Sequence, residues 1–556
     1  MKDCLFLSNL FFMLLIICSS IFLMTTLMGW GKLMENIFGK SLHGISGNIL
    51  TGILSVGLIF TVVAFFIPLN LYVEIPTILI GFLYFFKDKL YLEFLRFSKK
   101  DSIIVGILGT VILFSASFYP FILDHFGYYI PSIKWLTEYG LVKGISNLDL
   151  ILGQMSVWHI LQAGFSNFAD PFLKLNAVLL LIYGIYIVEN KSWIQFIFIP
   201  ILLVFSQSPS PDLPTIISSL IILNEILSGN KNLTFLFTLS VFTFAIKPTV
   251  IWLPIFILLY SIFISRLQYK QLIFGSLVFL LFIVKNIWTF GYPVFPFAAF
   301  DLGVAWKPNP ELLKASSQFA LVKTFDEQYS YAEILKFSWF DYIKNWLFLD
   351  GIKSIINISF VASVFGFIIF SMIKRKKIIS LICISILIKS LLVLLFSAQY
   401  RFFIDIFFVM FFVVFFKSLN KKNSLLISSG LAIIFIGLFS SPKMVQQFIP
   451  SFRLGRNLTP FEKTQILKPS NYEYKQYNSF KVGDLKFNVS KKYPFSFDTP
   501  TPAISESYII DYQKEKIFPQ LIDKNDLKKG FIWKKLNVTE KKEVDKTIEL
   551  IKNSYQ

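Results

Sequence analysis

SIIVGILGTVILFSASFYP (102–120) running into FILDHFGYYIPSIKWLTEYGLVKGISNLDLILGQMSVWHILQAGFSNFADP (121–171) is the stretch on which the reading of this chain turns. The first part is apolar and long enough for a helix to cross a bilayer core of ~30 Å. The second is a polar segment rich in Asp, His, Tyr, Lys and Trp. A span that opens into such a loop predicts a membrane helix leading to a folded, water-facing segment. A bare channel scaffold has little use for that loop, whereas an enzyme working at the membrane–water boundary does.

Composition extends this reading to the whole chain. Of 556 residues, 55% are hydrophobic and only 16% charged, against about 25% charged in soluble domains. The expectation is a mainly α, polytopic transmembrane helical bundle of about 12–14 spans. Candidate spans are 5–29, 49–70, 73–86, 102–120, 172–188, 193–208, 212–228, 233–247, 249–265, 272–290, 354–373, 378–397, 403–417 and 425–441. The first run is longer than a signal-peptide core and lacks a small-x-small cleavage site, so it is expected to be retained. The formal charge of +19 sits largely in short loops between spans, as the positive-inside rule requires. No recognition module accompanies it, which argues against nucleic acid as a partner. Abundant Phe, Ile and Lys point to an AT-rich bacterial genome, hence a multi-pass protein of the inner membrane. Cys4, Cys18 and Cys383 lie in or beside apolar runs without metal-ligand spacing.

Basic connections at 87–100, 266–270, 374–377 and 417–422 belong together on the cytoplasmic side. That parity places the loops 121–171 and 291–353, and everything after 441, on the outer side. Residues 1–441 thus form the membrane domain and 442–556 an extracytoplasmic C-terminal domain. In the latter, FKVGDLKFNV (480–489) alternates like a hairpin around Gly483-Asp484, and 540–551 reads as an amphipathic helix. A small α+β domain and an irregular cap are both compatible with this.

Candidate chemistry starts at Asp124, at the outer end of a span, where a reduced dielectric raises carboxylate basicity. The bland reading is a helix-end carboxylate in water. His125, Tyr128, Tyr129 and Lys134 follow at spacings that suit sugar stacking and hydroxyl recognition. Asp212 lies in SQSPSPDLP (206–214), either facing the same cavity or acting as a helix N-cap. Lys247 can snorkel from a helix end. Lys285, deeper in a span, calls for a partner such as a lipid phosphate or an acidic side chain. Tyr400 and Arg401 in SAQYRFFID (397–405) present a cation on the outer side, for an anionic ligand or for Asp405 four residues on. Trp158-His159 reads as a packed pair, with contact to substrate as the lesser alternative. P-loop, HExxH, CxxC and GxSxG motifs are missing from the sequence. Sequons at Asn457 and Asn488 carry little weight.

DHFGYYIPSIKWLTEYGLVKGISNL, SPSPDLP, KNIWTFGYPVFPF, SAQYRFF and YPFSFDTPTP together look like a family of bacterial polytopic membrane proteins without an assigned reaction. More broadly, the chain resembles the class C integral-membrane glycosyltransferases, which use polyprenyl-phosphate sugars. The resemblance implies Asp124 and Asp212 as catalytic residues, with Lys247 and Arg401 near the phosphate, and Lys285 is a further candidate for that phosphate from its place inside a span. It implies a lipid-linked sugar as donor and a glycan, lipid or protein as acceptor. His125 stands where several such families place a second acid, which leaves a divalent metal open. The alternatives are a surface-polysaccharide polymerase or ligase, a lipid-linked-oligosaccharide flippase or other transporter, and a non-catalytic scaffold.

Overall fold

The computed structural model describes residues 2–39, 42–266, 268–448, 465, 469–470, 472–491 and 493–554. The sequon at Asn457 lies outside them. Every candidate span is helical, and the chain is a polytopic membrane helical bundle with a small α+β region at its C-terminal end. Helices long and apolar enough to cross a bilayer, by length and composition, are Leu15–Ile37, Gly44–Val63, Pro248–Ser265, Tyr269–Phe290, Ile352–Lys374, Lys377–Phe396 and Lys421–Ser440.

The expectation of about 12–14 full spans needs refining, because several apolar helices stop short. Leu175–Glu189, Trp193–Phe205, Leu233–Ile246 and Ile404–Val414 have 10–17 residues, about 15–25 Å at 1.5 Å per residue. Local breakers explain this. Pro209 and Pro211 follow the second of these helices, and Lys247-Pro248 ends the third. Short helices are tolerated because protein, not lipid, surrounds them. Leu233–Ile246 is buried at all but one position.

Contacts sort the helix ends onto two faces. On the basic face, Lys421 pairs with Asp101 at 2.7 Å, and the Lys377 ammonium donates to the Phe263 carbonyl at 2.7 Å. Glu189 accepts from the Ile45 amide there at 2.7 Å, capping the Gly44–Val63 helix. The opposite face gathers both long loops and the C-terminal region. There the Trp288 indole donates to Leu141 at 3.0 Å, and the Asn147 amide donates to the Trp306 carbonyl at 2.7 Å.

The C-terminal region has two antiparallel hairpins. β1 (Tyr477–Val482) pairs with β2 (Leu485–Ser490) around Gly483-Asp484, and β3 (Ile517–Leu521) pairs with β4 (Phe531–Lys535). The helices Glu506–Lys514 and Val538–Ser554 complete it, so the α+β expectation holds and the irregular cap does not. It is seated on the first loop. The Phe531 amide donates to the Lys143 carbonyl at 3.0 Å, and the Tyr512 hydroxyl to the Asn147 carbonyl at 2.9 Å. The Lys134 ammonium donates to Thr499 at 2.8 Å.

Candidate functional site

The helix breaks on the loop face carry the charges. The stretches 206–211, 247–251 and 397–403 lie between α-helices, the last two with a short 3-10 turn each, and Asp212, Lys247 and Arg401 stand in or beside them. Asp124 precedes a π-helical turn, His125–Tyr129, which leads into the helix Ile130–Glu138.

These four residues meet. Arg401 Nη1 lies 3.0 Å from Asp124 Oδ2, with 47% and 40% of the two side chains exposed. Lys247 pairs with Asp212, and its ammonium also donates to the Arg401 carbonyl at 3.3 Å. The Phe402 ring lies beside both cations, with its centroid 5.1 Å from Arg401 Cζ and 5.7 Å from Lys247 Nζ, within reach of cation–π attraction. Residues 277 apart in the chain therefore share one rim, with the two cations side by side and an acid beyond each. Tyr400 stands on the same rim. The Lys353 ammonium is 5.7 Å from its ring centroid, and Lys353 pairs with Asp326.

Asp212 opens the helix Asp212–Leu227 as its first residue rather than capping it. Its amide donates to Ser210 Oγ at 3.3 Å, and Ser210 Oγ donates to Asp212 Oδ2 at 3.2 Å. A carboxylate in the first turn suits the helix dipole. The preceding loop is held by its carbonyls, because prolines 209 and 211 have no N–H to offer. Asn176 donates to Phe205 and Ser210 at 2.9 and 3.0 Å. Lys174 donates to Gln207 at 2.9 Å and His159 Nε2 to Pro209 at 3.1 Å. The Trp158 indole orients Asn176 at 2.7 Å. Trp158 and His159 are thus the packed pair, and they fix Asp212 from below.

Several residues expected to face substrate do not. His125 and His159 are buried, and burial pushes both imidazoles down to about 3, so both are neutral. Tyr128 and Tyr129 are buried too and offer no stacking face. The Tyr128 hydroxyl accepts from the Ser156 amide at 3.2 Å. Tyr129 reaches Ser210 beneath Asp124 and Asp212, where burial first and the two carboxylates second raise its hydroxyl well above the ordinary range. Polar tips on aromatic rings read as surface in the sequence, but here the rings are core. Lys134 is committed to the C-terminal region. Lys285 is fully buried and donates to the Gln154 and Met155 carbonyls at 2.7 and 2.8 Å. Its protein partners are backbone carbonyls and not an acid, and full burial keeps it off the rim. Arg401 and Asp405 are not paired with each other.

Asp405 belongs to an assembly that sequence reasoning passed over. Lys389, in the helix Lys377–Phe396, pairs with Asp405, and the Trp252 indole donates to the other carboxylate oxygen at 2.9 Å. The pair is sealed, with side-chain exposures of 0% and 6%. A lone lysine inside an apolar run was the available signal. Because Lys247 and Trp252 lie on one chain segment and Arg401 and Asp405 on another, the two segments are tied at two depths.

Among the described residues no group of three or more His, Cys, Asp or Glu side chains is placed to hold a metal ion. The donors at the rim are two carboxylates, each already facing a cation, which is a poor fit to a divalent ion. Two cavities lie elsewhere. One of about 280 Å³ is lined by Tyr292, Phe297 and Leu313. The other, about 430 Å³, lies between the β1–β2 hairpin and residues 521–527.

A model for a domain of unknown function, DUF8201, matches residues 13–408. The chain belongs to this family. The DUF8201 match takes in Asp124, Asp212, Lys247, Lys389, Arg401 and Asp405, and both long loops, and it stops before the C-terminal α+β region. No curated protein and no solved structure matches the chain.

Proposed function

We propose that this DUF8201 protein is an integral-membrane glycosyltransferase, similar to the class C enzymes, acting on the extracytoplasmic face of a bacterial inner membrane. The observation that supports this most is the rim itself, where Asp124, Arg401, Lys247 and Asp212 converge above the short central helices. In this reading the donor is a polyprenyl-phosphate sugar and the acceptor is a hydroxyl of a glycan, lipid or protein. Asp124 takes the acceptor proton as the hydroxyl oxygen bonds to the anomeric carbon. The bond from that carbon to the phosphate oxygen breaks, and its electron pair leaves with the lipid phosphate. Arg401 and Lys247 neutralise that phosphate. Asp212 holds Lys247 in place and orients the acceptor. No step is routed through a metal.

The test is glycan and glycolipid analysis in a deletion strain carrying wild-type protein, Asp124→Asn or Lys247→Met. Asp124→Asn is expected to insert and accumulate normally while losing the product. A wild-type glycan profile from that variant removes the assignment. Loss of one sugar branch indicates a single transferase; loss of chain length indicates a polymerase or ligase.

A transporter or flippase remains the second reading, favoured by the Lys389–Asp405 pair inside the bundle. Proteoliposomes loaded with a fluorescent lipid-linked sugar separate the two. Translocation without covalent transfer supports the transporter.

A further inference from the structure

The second loop ends in WFDYIKNWL (Trp339–Leu347), a helix with three distinct sides. At about 100° per residue, Tyr342 and Trp346 form the side facing protein. Trp346 is buried, and its indole donates to the Ala398 carbonyl at 2.8 Å. Tyr342 packs against Phe325 with ring centroids 4.9 Å apart. The polar side carries Asp341, Lys344 and Asn345. Between them lies an apolar side that none of the described residues covers: Trp339 is 83% exposed, Phe340 72% and Ile343 54%.

Leaving three such side chains in water forgoes the gain of burying them, so this side calls for an apolar occupant. The surroundings identify it. The helix Ile352–Lys374, long and apolar enough to span a membrane, begins shortly afterwards with Ile355 and Ile358 exposed, which continues the uncovered surface into the bilayer. At nine residues, Trp339–Leu347 is about 14 Å long, too short to cross and suited to lying along the surface. Its start is set by a capping box between Ser338 and Asp341, so it is a defined element rather than an extension of the span.

We propose that the Trp339–Leu347 helix lies in the headgroup–acyl boundary of the leaflet on the loop face, with Trp339, Phe340 and Ile343 among the lipid chains. Through Trp346 and Ala398 it holds the Tyr400–Arg401 rim at headgroup level. Tryptophan is the side chain most at home at that boundary. This seat goes beyond the transferase reading and does not depend on the reaction catalysed.

The test uses full-length protein with Cys4→Ala, Cys18→Ala and Cys383→Ala, reconstituted in phosphatidylcholine nanodiscs, with a nitroxide at Phe340→Cys or at Lys344→Cys. Collision rates with oxygen, which concentrates in lipid, and with a water-soluble nickel chelate are compared. Position 340 is expected to favour oxygen several-fold, and position 344 the chelate. Preference for the chelate at both positions puts the helix in water and overturns the proposal. Shielding of position 340 from both reagents means another protein surface covers it and also overturns it. Tryptophan fluorescence of otherwise wild-type protein in brominated phosphatidylcholine, minus that of Trp339→Phe, provides a second readout. Strong quenching of the difference spectrum is expected, and no quenching again overturns the proposal.

Discussion

Two ion pairs meet the segment 401–405 at different depths, and they differ in almost every physical respect. Asp124–Arg401 is about half exposed, and water competes for every hydrogen bond it makes. Lys389–Asp405 is sealed, and the Trp252 indole adds a further donor to the carboxylate. An exposed pair contributes about 0–1 kcal/mol to stability, so selection for folding alone gives little reason to place one there. A sealed pair is costly to break, since removing one partner strands the other. The outer pair is open to something outside the fold, as the proposed reaction requires, while the inner pair ties the helix Lys377–Phe396 to the segment that carries Asp405.

The largest expected effect comes from breaking the inner pair. Lys389→Met should destabilise the protein by about 3–5 kcal/mol, read as a lowered unfolding midpoint in detergent. The double variant Lys389→Met/Asp405→Asn should recover much of that loss. Equal midpoints for the single and double variants would mean the pair is not coupled.

A carboxylate with no cation beside it among the described residues sharpens the contrast. Asp149 is buried on the first loop with Tyr508 and the Ile151 amide as donors, and burial pushes it up to about 7 from 3.8. The folded state therefore binds the proton more tightly than the unfolded chain does. Stability from this group is fully present below about pH 4 and is lost as pH rises towards 7, by about 1.4 kcal/mol per pH unit. Asp149→Asn removes the dependence, so its stability relative to wild type should be higher at pH 8 than at pH 5. A difference that stays flat with pH would show that Asp149 is ionised throughout.

The smallest effect on stability belongs to the rim. Arg401→Gln should change folding by less than about 1 kcal/mol and yet, on the proposed transferase reading, abolish the glycan product. A large stability loss would make the outer pair structural after all.

Most of the bundle was legible in the sequence because an apolar run has few other ways to satisfy its backbone in lipid. The rim was legible for a related reason: Asp124, Asp212, Lys247 and Arg401 are charges at the ends of such runs. What stayed hidden was partnership. The carbonyls that hold Lys285 leave no trace in side-chain identities. The Thr499 carbonyl that holds Lys134 is 365 residues away. Asp405 offered a local partner four residues back and took a distant one. Lys389 stands as a lone charge in an apolar run, a signal that the sequence reading left out altogether.

The Lys143 ammonium lies 4.5 Å from the Trp288 ring centroid and 4.8 Å from that of Trp306, while its own carbonyl receives the Phe531 amide. Span, second loop, first loop and tail are thus buttoned together at one residue. A shortened version ending near residue 441 would undo that button and bare Asn147 and Asp149 to solvent. Cutting the tail away to simplify purification would therefore alter the loop that carries Asp124, and inactivity of such a fragment would say nothing about the tail's own role.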